Sequence, residues 1–114
     1  MDIQSFATNL QYNEDKVTAS VILETPFSKE IRILMKAGQV MNKHQAPYPI
    51  IVHVLDGVID FGVEGKTKQL SQGDAISLDA KVPHDLKANQ DSIIRLTLSK
   101  LDKVERVEEV ASNV

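Results

Sequence analysis

The hydrophobic positions of the sequence fall in short runs that are separated by turn-forming residues at close, regular spacing. The runs are rich in Val, Ile and Leu and occupy residues 17–23, 29–36, 50–55, 58–63, 74–79 and 92–98. Gly, Pro, Asn and Asp stand between them, in combinations that favour turns. Short β-branched runs of this kind are typical of strands, so the pattern predicts an all-β sandwich or barrel.

Two turns in this pattern predict hairpins. Asp56-Gly57 joins the runs 50–55 and 58–63 and has the composition of a type I′ turn, in which both central residues take positive φ. Glu64-Gly65 gives a weaker second hairpin signal.

The run 50–55 is apolar on both faces of a strand, with His53 as its one polar residue. Such a strand is expected at the centre of a sheet, with the core on one side and a second sheet or a subunit on the other. His53 has the opposite parity to Ile50, which places it on the outer face. This strand and the apolar stripe at 101–110 offer more apolar surface than a lone barrel of this length covers, so we expect a homodimer that buries it.

The last residues follow a different period. After Ser99, with Asp102 three residues on, the apolar positions are Leu101, Val104, Val107 and Val110. A capped short helix is one prediction for the tail 99–114, and an extended tail is the alternative. The length of 114 residues predicts one domain that spans 1–114.

The composition excludes several classes of function. The chain has no cysteine, which excludes disulfides, thiolate nucleophiles and Cys-based metal sites. A net charge of −3, no Lys/Arg cluster and few aromatic residues argue against a nucleic-acid partner. No apolar run reaches the roughly 18 residues of a membrane span, and the amino terminus lacks a secretion signal, so we expect a cytoplasmic protein without a membrane partner.

The stretch 38–98 resembles the cupins, small jelly-roll barrels with two histidine-bearing motifs. Gly38, His44 and Gly57 fit the first motif, a glycine, five residues, His-x-His, a glutamate and a closing glycine. Ala46 stands at the position of the second histidine and Ile50 at that of the glutamate.

The second cupin motif is matched by Gly73-Asp74 and by Val82-Pro83-His84. Asp79 and Lys81 replace the Pro and Gly of its Pro-x-Gly turn. The resemblance thus implies a double-stranded β-helix barrel over 38–98 with a degenerate metal site.

A cupin site implies a divalent ion such as Mn²⁺, Fe²⁺, Ni²⁺ or Zn²⁺, which needs three or four N/O donors. Here the resemblance leaves His44 and His84 as candidate ligands. Asn42, two residues before His44, is expected to face the same way and to act as a weak ligand or orient the imidazole.

Three functions stay open. In the first, a small, partly apolar molecule binds in a barrel mouth lined by Asn42, His44, Ala46, Ile50 and His84. In the second, a metal-dependent dioxygenase or isomerase works through His44 and His84, with substrate completing the shell. In the third, one of these histidines shuttles a proton without metal. The sequence does not decide whether the protein is an enzyme.

Overall fold

A computed structural model describes residues 1–100, which form nine β-strands and no helix. The strands are β1 (Thr18–Glu24), β2 (Ser28–Met35), β3 (Val40–His44), β4 (Ile50–Asp56), β5 (Val58–Val63), β6 (Lys66–Ser71), β7 (Ala75–Leu78), β8 (His84–Ala88) and β9 (Ser92–Ser99). The all-β prediction is confirmed. The predicted helix in the tail lies outside the described residues, apart from Ser99, which ends β9, and Lys100.

The strands form two antiparallel sheets. The large sheet has the order β1-β2-β9-β4-β7, and the small sheet has the order β3-β8-β5-β6. Apart from the pairs β1–β2 and β5–β6, neighbouring strands are far apart in sequence, as when β4 pairs with β9. The chain therefore crosses repeatedly from one sheet to the other, which is the topology of a jelly roll.

The two sheets enclose one hydrophobic core. Alternate residues of the long strands point into it, because successive side chains of a strand lie on opposite faces. The core includes Ile33 and Met35 of β2, Val52 and Val54 of β4, Ile59 and Phe61 of β5, Leu86 and Ala88 of β8, and Ile94 of β9. The alternation that the sequence shows in β5 is thus also its pattern of burial, whereas β4 is buried at alternate residues although its sequence is apolar on both faces.

The hairpin prediction at Asp56-Gly57 is wrong. β4 and β5 do not pair, since they belong to different sheets. Of the two turn residues, Gly57 has a positive φ of 97° and Asp56 does not. At Gly57 the chain leaves the large sheet for the small one. The second turn is the true hairpin: Glu64 and Gly65 have φ of 52° and 74°, as a type I′ turn requires, and Val63 pairs with Lys66.

Three strands lie outside the apolar runs that predicted strands: β3, β6 and β8. Their sequences are VMNKH, KTKQLS and HDLKA, in which polar residues outnumber apolar ones. β3 and β6 are the edge strands of the small sheet and are largely exposed, so little burial marks them in the sequence.

Within residues 1–100, the outer face of the large sheet is covered over only part of its width. Arg32 donates hydrogen bonds to the backbone carbonyls of Phe6, Thr8 and Asn9, and the guanidinium of Arg95 lies 4.9 Å from the Phe6 ring centroid. The amino-terminal segment therefore lies over β2 and β9. Ile51 on the neighbouring β4 is 45% exposed.

No helix within residues 1–100 is long and apolar enough to cross a membrane.

Candidate functional site

Two histidines from distant parts of the sequence meet on the small sheet. His44 ends β3, His84 begins β8, and the two residues are partners in the ladder between these strands. Their ring centroids lie 4.3 Å apart with an interplanar angle of 60°. The structure therefore brings together the two residues that the sequence singled out as candidate ligands.

The side chain of Asn42 does not take the position beside His44 that simple strand alternation predicts. The β3–β8 ladder shifts register between Met41 and His44, so the spacing of two no longer decides which face a side chain takes. Met41 packs against the core, while Asn42 is exposed. The contact that Asn42 makes with the pair is through its backbone: its carbonyl lies 2.8 Å from Nδ1 of His44.

Both imidazoles are held by backbone carbonyls. Nδ1 of His84 lies 2.9 Å from the carbonyl of Val82, in the same arrangement as His44 with Asn42. Because a carbonyl only accepts, Nδ1 carries the hydrogen and donates in each case. In the neutral form of either ring, Nε2 is then left with its lone pair, as an acceptor or a ligand atom.

His84 sits in an apolar environment. It is 3% exposed, and its ring stacks on Phe61 at a centroid distance of 5.6 Å. Burial lowers the pKa of His84, and nearby His44 lowers it further, against opposing effects of the Val82 carbonyl and Asp85. His84 is therefore neutral near pH 7, and its Nε2 accepts hydrogen bonds.

The donors beside the histidines are too few for a resident metal ion. Ala46 and Ile50, at the other two ligand positions, provide no donor atom. Within residues 1–100, no group of three His, Asp or Glu side chains is arranged to hold a metal. Two imidazole nitrogens supply at most half of a four-donor shell, so the side chains described here do not fit the family's metal.

Ala46 and Ile50 instead line an apolar cavity of about 430 Å³. Its walls come from β2, from the loop between β3 and β4, and from β4 and the end of β9: Lys29, Ala46, Pro47, Tyr48, Ile50, Leu98, Ser99 and Lys100. Neither histidine nor Asn42 is among these residues. The five residues of the predicted pocket are thus divided between a histidine pair and a neighbouring cavity, joined by the loop that follows His44.

The loop that walls the cavity is tied to the second motif. The backbone N–H of Lys81 donates to the carbonyl of Ala46 at 2.8 Å. Lys81 has φ of 66°, in the left-handed region that favours glycine, and it stands where the resemblance places a glycine. Lys81 therefore takes the backbone conformation that a glycine at this position would take. We call this end of the barrel, with residues 45–49 and 79–83, the mouth.

Residues 31–99 match the family model Cupin_2, the cupin domain. The chain belongs to the cupin family. The match covers both histidine motifs and every strand from the middle of β2 to the end of β9.

Several solved structures have the same fold. An RmlC-like cupin from Desulfovibrio desulfuricans superposes with a TM-score of 0.80 at 19% identity, over 87% of this chain and 96% of that chain. A conserved protein of unknown function from Streptococcus pyogenes gives 0.74 at 18% identity, over 87% of each chain. KdgF from Halomonas sp. gives 0.70 at 26% identity, over 81% of this chain and 86% of that chain. No curated protein matches the sequence.

Sequence reasoning found the histidines of this cupin but missed the charged wall of its cavity. Lys29 shares the inward parity of Ile31, Ile33 and Met35 on β2. This position in the alternation was the available signal that Lys29 lines the cavity. It is weak, because a lysine at the end of an apolar series is ordinarily a solvated strand end.

Proposed function

We propose that this cupin binds a small, partly apolar molecule at the mouth of the barrel, without a resident metal ion. The observation that carries the proposal is the cavity of about 430 Å³, with Ala46 and Ile50 where the family's metal ligands stand. Its size is that of a small-molecule site, for which the usual range is roughly 300 to 1,000 Å³.

The cavity favours a ligand with an apolar body. Ala46, Pro47, Ile50 and Leu98 present hydrocarbon to it, and Tyr48 adds an aromatic ring. Burying apolar ligand surface against such walls contributes about 25 cal/mol per Å². Ile50 is 4% exposed and belongs to the core, so the inner wall is rigid and already formed.

The histidine pair supplies polarity beside this wall. Nε2 of His84 is an acceptor near pH 7, because the pKa of this histidine is lowered by burial. His44 is exposed at the end of β3, next to the loop that lines the cavity. A polar group of the ligand that donates a hydrogen bond is therefore the natural partner of the pair.

The experiment uses a neutral apolar dye, N-phenyl-1-naphthylamine, whose fluorescence rises on leaving water. Metal-free protein is expected to bind it, and Ala46→Phe is expected to lower its affinity at least about tenfold by filling the cavity. Ala19→Phe, at an exposed position of β1 away from the cavity, is the matched control and should leave binding unchanged. Equal binding by the parent and Ala46→Phe, or none by the parent, contradicts the proposal.

One observation favours a second function, a metal-dependent cupin enzyme of the dioxygenase or isomerase type. Both histidines donate from Nδ1 to a carbonyl, and this second contact is also what orients a metal-ligating imidazole. With only two such donors, a substrate would have to complete the shell. Metal content separates the two functions.

A further inference from the structure

We propose that the cavity selects an anionic amphiphile: a molecule whose acidic head pairs with the ammonium of Lys29 and whose apolar body lies against Leu98 and Ile50. This inference rests on the proposed function, because it names the ligand class for the same cavity. Its basis is the register of the large sheet and the charge of the cavity wall.

Lys29, Leu98 and Ile50 form one row across three adjacent strands. Lys29 of β2 pairs with Leu98 of β9, and Leu98 pairs with Ile50 of β4. All three line the cavity. Because side chains of one row share a face, an ammonium stands beside two branched hydrocarbons on the inner surface. This is the arrangement that an acid with an alkyl or cyclic body requires.

The wall carries positive charge without an acid. Two of the cavity-lining residues are charged, Lys29 and Lys100, and no Asp or Glu lines it within the described part of the chain. The ammonium of Lys100 is already paired, at 2.7 Å from Oε2 of Glu24 and 2.7 Å from the carbonyl of Thr25. Within residues 1–100 the ammonium of Lys29 forms no ion pair or hydrogen bond, so Lys29 provides the uncompensated cation of this wall.

Glu24 does not neutralise Lys29. It is the ladder partner of Lys29 on β1, yet the hydrogen bond from Lys100 is the main reason that the pKa of Glu24 is lowered. Within residues 1–100, Lys29 and Glu24 form no ion pair, because Oε2 of Glu24 is taken by Lys100 at 2.7 Å. A carboxylate that enters the cavity can then replace water at Lys29 without first breaking an ion pair.

The test compares two probes that share an eight-carbon chain, octanoate and octan-1-ol, by titration calorimetry with metal-free protein at low salt. The parent is expected to bind octanoate about two- to fivefold more tightly, the value of an ion pair at an exposed lysine. In Lys29→Met the ratio should fall to about 1. Lys29→Arg should keep the preference, because the charge is retained.

Lys66→Met is the control, since Lys66 is an exposed lysine of β6 outside this cavity, and it should keep the parent's ratio. Lys29 is exposed, so its variants are expected to fold, which thermal unfolding checks. An unchanged ratio in Lys29→Met overturns the assignment of Lys29. Equal affinities in the parent overturn the anionic class and leave the apolar cavity standing. If neither probe binds the parent, this inference and the proposed function both fail.

Discussion

Glu30 is a buried carboxylate on the outer face of the large sheet, and its neighbours keep it ionised. It is 5% exposed. The hydroxyl of Ser28 donates to Oε2 at 2.6 Å, and Oε1 accepts from Nε of Arg95 at 3.0 Å and from the hydroxyl of Thr97. Burial by itself would raise the pKa of Glu30, but these hydrogen bonds outweigh it and hold the pKa below its ordinary value.

A pKa that is lower in the folded state stabilises the protein above the unfolded pKa of roughly 4.3 and loses this contribution as the pH falls through the folded value. Glu30→Gln is therefore expected to lower the free energy of unfolding at pH 7 by about 1 to 3 kcal/mol, because it leaves Arg95 without its anion. Below pH 4 the difference should shrink. Urea unfolding of both proteins at pH 7, 5 and 3 measures it, and a difference independent of pH contradicts the account.

At the level of single residues, the sequence identifies the site histidines better than it predicts where neighbouring side chains point. His44 and His84 could be singled out because the motif spacing survives, and the structure brings their rings together. The relation of Asn42 to them could not be predicted, because one extra residue in β3 breaks the alternation. Lys29 was missed because nothing local distinguishes a cavity-lining lysine from a solvated one.

Gly57 marks the passage from β4 to β5 between the two sheets. Its φ of 97° is unfavourable for any residue with a side chain. A Cβ at this position would also lie 2.2 Å from the hydroxyl oxygen of Ser92 and 2.7 Å from the carbonyl oxygen of Asp91. Gly65, in the β5–β6 hairpin, has a φ of 74° but open space around it.

These two glycines give a matched pair of variants. Gly65→Ala is expected to destabilise the protein by about 1 kcal/mol, from the backbone conformation alone. Gly57→Ala adds a clash with a backbone carbonyl, so we expect about 3 kcal/mol or more. Urea unfolding at pH 7 measures both. Equal losses would show that the crossing tolerates a side chain and would contradict the packing described for Gly57.

At the element scale, the error at Asp56-Gly57 has a physical cause. Local turn chemistry predicts that the chain bends, but not which strands pair afterwards. β4 finds its partners in β9 and β7, both more than ten residues further along, because pairing there buries Val52 and Val54 in the shared core. Glu64-Gly65 was the weaker signal and yet forms the hairpin, because β6 follows directly and pairs with β5 at the edge of the small sheet.

At the scale of the whole molecule, we propose a homodimer through the open part of the large sheet. The amino-terminal segment covers β2 and β9, whereas Ile51 of β4 remains 45% exposed beside Ser77 of β7. His53 lies on the same outer face and is half-buried. A second copy placed over β4 and β7 would bury this apolar surface by two-fold symmetry.

Sedimentation at micromolar concentration is expected to give a dimer for the parent and a monomer for Ile51→Asp, because a carboxylate buried in the interface without a partner is strongly unfavourable. Val21→Asp is the control, at another exposed hydrophobic residue of the large sheet, on β1. A monomeric parent, or a dimer that Ile51→Asp leaves unchanged, contradicts the proposed interface.

The fold of the whole molecule could be predicted because the motif spacing encodes it. The glycines, the two histidine strands and the turn before His84 keep the cupin register over residues 31–99, although two ligand positions have changed. The site was harder to predict. Ala46 and Ile50 at the ligand positions argue against a metal ion, but they do not indicate what binds there instead. The small-molecule site is indicated by the shape of the cavity, which depends on residues from β2 to Lys100.

Elemental mass spectrometry of untagged protein measures whether the mouth of this cupin holds a resident metal ion. We expect well under one equivalent of Mn, Fe, Ni or Zn per chain, even after reconstitution with each ion. One equivalent in the parent and in His53→Ala, but none in the double variant His44→Ala, His84→Ala, would show that the histidine pair holds a metal and would contradict this expectation.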